Sequence, residues 1–137
     1  DSNETFRKPR GSRRGGPAPG YELDPLFGIN NEEKPLIYRL LAVAEFKNHY
    51  LAHVRTLAED SLDLNKLKPL IEQFQSLISD EIKKDPRKLD SHEHFIMGVT
   101  ETITEEGFRG PRESPSLKEF IQERQKYLLN YSAIEDL

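Results

Sequence analysis

The sequence contains no cysteine. That excludes disulfides and thiolate metal sites, and it leaves the redox compartment unreadable, since a cysteine-free chain suits either side of a membrane. No apolar run approaches about 18 residues, so no transmembrane helix is expected, and the first residues form no apolar signal region. No segment alternates convincingly between apolar and polar residues, so no substantial sheet is expected. Neither standard glycine-rich phosphate loop occurs, and there is no Gly-x-Ser-x-Gly elbow. A complete catalytic site is therefore not legible in this chain.

What is present is a polar but foldable composition. The chain has 137 residues, 35% hydrophobic and 32% charged, which suits a single domain. With an N-terminal arm set aside, roughly a hundred residues remain, enough for a modest core. The net charge of -4 gives no general attraction to nucleic acid or acidic membrane. It conceals an asymmetry: residues 1–20 carry Arg7, Lys8, Arg10, Arg13 and Arg14 against Asp1 and Glu4, a basic arm on an acidic body. The chain opens on Asp1 and not on Met, as a fragment of a longer protein would.

Residues 1–34 read as a Gly/Pro/Arg-rich loop with an acidic motif at its start, disordered or loosely docked; residues 35–137 read as a helical subdomain. Within the arm, Gly11–Gly20 holds four glycines and two prolines without apolar period. Tyr21–Gly28 has enough apolar groups to dock on a body. Pro35 opens a short helix to Leu41. Phe46, Tyr50, Val54 and Leu57 mark one face of a helix from about Glu45 to Leu62. Asp63 caps the next, whose stripe runs through Leu67, Leu70, Ile71, Phe74, Leu77, Ile78 and Ile82 to a stop at Asp85-Pro86; Pro69 falls in or near its first turn. Asp90 or Ser91 opens a fourth helix with Phe95, Ile96, Val99 and Ile103 on one face. Glu105–Pro115 reads as a loop. Ser116 to Glu119 form a capping box ahead of a last helix carrying Leu117, Phe120, Ile121, Tyr127, Leu128 and Tyr131. The expected fold is mainly α, an orthogonal or up-down bundle of about five helices.

Chemistry-bearing groups are few. Glu45, His49 and His53 share one helix face and could hold a metal, but a solvated face is the stronger reading. His92-Glu93-His94 lacks the four-residue spacing of zinc proteases and reads as surface. The basic residues Arg7, Lys8, Arg10, Arg13 and Arg14 could engage phosphate or an acidic partner; without interleaved aromatics they are not expected to bind nucleic acid bases. Asp1, Asn3 and Glu4 supply hard oxygen ligands of the kind magnesium prefers.

The ordered set Pro35, Leu36, Leu40 and Leu41; Tyr50 and Leu51; Leu67, Pro69, Leu70 and Ile71; Asp85, Pro86 and Lys88 resembles the C-terminal part of the CotH kinase family, spore coat protein H and its relatives. The stretch from Phe120 to Leu128 is similar to the family's last helix, and Asp1 to Phe6 resembles its short acidic motif, departing at Arg7 where the family commonly has Gly. The resemblance implies the helical C-terminal subdomain of an atypical protein kinase that transfers phosphate from ATP to protein Ser or Thr. It implies magnesium and ATP in the parent enzyme, with Asp1 as metal ligand and Asn3 or Glu4 assisting. The rest of the parent polypeptide would carry the nucleotide-binding strands, the phosphate-contacting lysine and the catalytic aspartate. By itself the chain is then expected to be inactive and to require no cofactor. The family is often exported or spore-associated in bacteria. The alternative is a non-enzymatic helical interaction module whose basic arm engages an acidic partner.

Overall fold

The computed structural model describes residues 20–107 and 110–137. Helices dominate: α1 (Pro35–Leu40), α2 (Ala44–Thr56) running on into a π turn (Leu57–Ser61), α3 (Leu64–Lys84), α4 (His92–Met97), α5 (Leu117–Leu129) and α6 (Ser132–Glu135). The mainly helical expectation holds. Between α4 and α5 lies a two-stranded antiparallel hairpin, β1 (Ile103–Gly107) and β2 (Gly110–Ser114), in register from Ile103 opposite Ser114 to Gly107 opposite Gly110.

The helix starts follow from capping. Asp63 accepts a hydrogen bond from the Asn65 N–H at the head of α3, and Ser91 and Ser116 do the same for the N–H groups of His94 and Glu119. Each satisfies a donor that the first turn leaves without a helical partner. At the head of α5 a further residue takes part: the Ser116 N–H donates to Thr102 Oγ1, and the Thr102 hydroxyl donates to the Glu119 carboxylate. The Leu117 and Lys118 N–H groups donate to the carbonyls of Gly98 and Val99. Thus α5 starts from the chain that follows α4.

The hairpin replaces an expected loop at Glu105–Pro115, and Ile103 belongs to β1 and not to the fourth helix. The helix stops at Met97 because Gly98 takes its C-cap, where a Cβ would lie 2.8 Å from the His94 carbonyl oxygen. After a turn in which the Thr100 and Glu101 N–H groups return to the Met97 carbonyl, Thr102-Ile103-Thr104 favours an extended backbone, since β-branched side chains pack well on a pleat. Two further details depart from expectation. Pro69 lies inside α3, beyond its first turn, and offers no N–H to the Asn65 carbonyl. The last helix breaks before Tyr131, which becomes the N-cap residue of α6.

The core gathers Leu26 from the N-terminal segment, Leu41 from the end of α1, Leu51 from α2 and Ile134 from α6; Tyr50, Val54 and Tyr131 pack against it. Ala58, Phe120, Ile121 and Leu128 are also buried. On α2 the buried side lies to one flank of the expected stripe: Leu51 is 2% exposed, whereas Phe46 and Leu57 are exposed. The neighbours of α2 approach from the Leu51, Val54 and Ala58 side, and the stripe at Phe46 and Leu57 is left uncovered. The π turn that ends this helix is closed by the Leu62 N–H donating to the Leu57 carbonyl at 3.0 Å, and Gln125 of α5 donates to the Ala58 carbonyl at 2.9 Å. Helix α3 buries no residue completely. Its Leu67, Ile71 and Ile82 are half-buried, while Leu70, Phe74, Leu77 and Ile78 are exposed.

Candidate functional site

The residues assigned from sequence to metal and phosphate, Asp1, Asn3, Glu4, Arg7, Lys8, Arg10, Arg13 and Arg14, lie outside the described residues. What the structure describes is how the chain that follows them is held. Residues 20–34 run across the helical body in successive turns, and Pro25 and Leu26 are buried there. Tyr21–Gly28 therefore docks, as its apolar content suggests. At its end Gly28 has a φ of 88°, a left-handed conformation that glycine adopts without strain. Lys34 folds back so that Nζ stands 4.1 Å from the centre of the Phe27 ring.

Asp24 is the centre of this attachment. One carboxylate oxygen accepts from the Leu26 N–H at 2.8 Å, forming a local turn, and from the Tyr131 hydroxyl at 2.9 Å. Arg124, on the third turn of α5, donates to the carbonyls of Tyr21 at 2.9 Å and Leu23 at 2.5 Å. The Tyr50 hydroxyl of α2 donates to the Pro25 carbonyl at 2.8 Å. Tyr21 meets Phe120 edge to face, with ring centres 6.3 Å apart. Side chains of α2 and α5 thus bind the carbonyls of Tyr21, Leu23 and Pro25, and Tyr131 at the start of α6 binds the Asp24 carboxylate, the usual way a segment without its own ladder satisfies buried polar groups.

The electrostatics match this geometry. Burial of the Tyr131 hydroxyl, its bond to Asp24 and the negative charge of Asp24 together push its pKa up to about 12. Burial also raises Tyr127, with Asp24 adding to the effect. Burial lowers Arg124, opposed by the neighbouring Tyr127, Tyr50 and Asp24. A guanidinium so lowered still stays charged at neutral pH, so the carbonyl contacts are charge-assisted.

The other sequence candidates form no chemical centre. Glu45, His49 and His53 are exposed on α2, and among the described residues no group of three or more His, Cys, Asp or Glu is placed to hold a metal. His92 departs from the surface reading: it is half-buried, its Nε2 lies 2.9 Å from Ser79 Oγ, and its ring sits 6.1 Å from that of Phe95. Together with Gln75, which donates to the carbonyls of Phe95 and Ile96, this pair ties α3 to α4. Asp85 and Lys88 likewise hold structure. The Asp85 carboxylate accepts from the Arg87 N–H, and Lys88 Nζ donates to the carbonyls of Lys83 and Asp85, closing the C-terminal end of α3.

Sequence reading missed the roles of Asp24, Arg124 and the Tyr131 hydroxyl. Two signals were available. An aspartate before proline, as in Asp24-Pro25, favours a side chain turned onto its own backbone. An arginine set between Ile121 and Leu128, on the apolar side of a helix, must find acceptors.

Residues 2–128 match the family model described as CotH kinase protein. No curated protein and no solved structure matches the chain.

Proposed function

The chain belongs to the CotH kinase protein family, and from that premise we propose that it serves as the helical portion of a CotH-type protein kinase, working with the rest of a longer polypeptide. The parent enzyme would transfer phosphate from ATP to Ser or Thr of a protein substrate. The observation that carries this reading is the extent of the family match, 2–128, which takes in Asn3 and Glu4 and runs through nearly all of α5.

In this reading Asp1 is the magnesium ligand, with Asn3 or Glu4 assisting, since carboxylate and amide oxygens suit a hard cation. When bound, the metal neutralises charge on the phosphates. The family residues described above have supporting work: Tyr50 and Leu51 hold the segment and the core, and Asp85 and Lys88 close α3. By itself the chain is predicted to transfer no phosphate.

The test is calorimetric titration of magnesium-ATP into the parent polypeptide, wild type beside Asp1→Ala. Loss of metal-dependent binding in the variant is the expected result. Unchanged binding removes Asp1 from the site and leaves this segment a buttress. Absence of binding by the wild type sinks the kinase reading and favours a helical interaction module with a basic arm.

A further inference from the structure

Helix α3 is 21 residues long, about 31 Å at the usual rise, and its apolar arc is wider than the body that covers it. Leu67, Ile71 and Ile82 turn toward α4 and α5, while Leu70 is 45%, Phe74 55% and Leu77 73% exposed. These three lie at spacings of four and three, which places them on one stripe. The same stripe continues to Lys66 at one end and Glu81 at the other, each four residues beyond the nearer leucine and both exposed.

The outer spacings of this stripe match, four residues from Lys66 to Leu70 and four from Leu77 to Glu81, and its ends carry opposite charge. We propose that α3 pairs antiparallel with α3 of a second copy of this chain, about a two-fold axis passing between Gln73 and Phe74. That operator brings Leu70 level with the partner's Leu77, and Lys66 level with the partner's Glu81, each contact occurring twice. One layer further out, Asp63 comes level with the partner's Lys84. Phe74 lies beside the axis and packs against its own copy. A parallel pair would instead set lysine on lysine and glutamate on glutamate, so the charge pattern selects the antiparallel form. In the monomer, Lys66 pairs with Asp60 at 3.1 Å and Glu81 with Lys84 at 3.2 Å. These are exposed pairs of little worth, free to exchange. A single helix pair buries less than the roughly 800 Å² per partner of a standard interface, so the dimer is a weak one that forms at high concentration. This inference stands on α3 alone and does not depend on kinase activity.

Sedimentation velocity of the chain, from micromolar concentration up to about 1 mM, reads the outcome directly. The average mass is expected to rise toward that of two chains. Leu77→Asp should weaken association at least about tenfold, since it places a charge in the apolar contact opposite the partner's Leu70. Lys66→Glu alone should weaken it roughly three- to tenfold, because two exposed ion pairs become like-charge contacts. Lys66→Glu with Glu81→Lys should restore it, since the exchanged charges complement one another again. These side chains are exposed, so far-UV circular dichroism should be unchanged throughout. A chain that remains monomeric at the highest concentration overturns the proposal and leaves the face to a different polypeptide. Association that survives Leu77→Asp, or a double variant that associates no better than Lys66→Glu, overturns it equally.

Discussion

Replacing Asp24 with alanine should cost more stability than replacing any exposed carboxylate in this chain. The Asp24 carboxylate accepts two hydrogen bonds, from the Leu26 N–H at 2.8 Å and the Tyr131 hydroxyl at 2.9 Å. A hydrogen bond to a charged group contributes about 1.5–3 kcal/mol net. Here Asp24 and Tyr131 are only half-buried, which puts each bond near the lower end of that range. Loss of both therefore predicts about 2–4 kcal/mol. Asp24→Asn retains one carbonyl oxygen and should lose roughly half as much, separating charge from geometry. A double-mutant cycle with Tyr131→Phe isolates the Asp24–Tyr131 bond, for which a coupling of about 1–2 kcal/mol is expected. Urea unfolding followed by far-UV circular dichroism supplies all four corners. A coupling below about 0.5 kcal/mol, the usual scatter for independent sites, would refute the claim that this bond fastens the N-terminal segment to α6.

Three further outcomes are expected. Ser116→Ala removes the N-cap of α5 at a buried position and should cost about 1–2 kcal/mol, read from the urea midpoint. Leu51→Ala should cost about 3 kcal/mol, whereas Leu36→Ala, at a position 75% exposed, should stay within about 0.5 kcal/mol. The third concerns alkaline pH. The folded chain holds the Tyr131 proton more tightly than the unfolded chain does, so the stabilisation is complete below pH 10 and is lost as pH rises toward about 12. Unfolding midpoints should fall across that window, and Tyr131→Phe should make the fall shallower.

Much of the architecture was legible because local physics dictates it. Asp63, Ser91 and Ser116 begin helices because their short side chains reach the free N–H groups of the first turn, and that depends on nothing distant. Asp85-Pro86 ends α3 for an equally local reason: the residue before proline is pushed out of the helical region, and Asp85 has an extended backbone. The hairpin was missed because its strands are short and Gly/Pro-containing, and only the capped stop at Gly98 makes room for them. Tyr131 could not be separated from α5 by pattern, since its apolar spacing continues across the break at Asn130.

The sequence by itself determined that this chain is helical, where most helices begin and end, and its likeness to the CotH kinase protein family, because capping, proline and ordered motifs act over a few residues. Which apolar faces are used is a different matter. Periodicity marks a stripe but not its cover, so Leu51 in place of Phe46 became the core of α2, and half of the α3 stripe stayed in water. The bonds from Arg124 to the Tyr21 and Leu23 carbonyls and from Tyr131 to Asp24 join residues about a hundred positions apart. No local rule brings them together; only the packing of α5 and α6 against the N-terminal segment does.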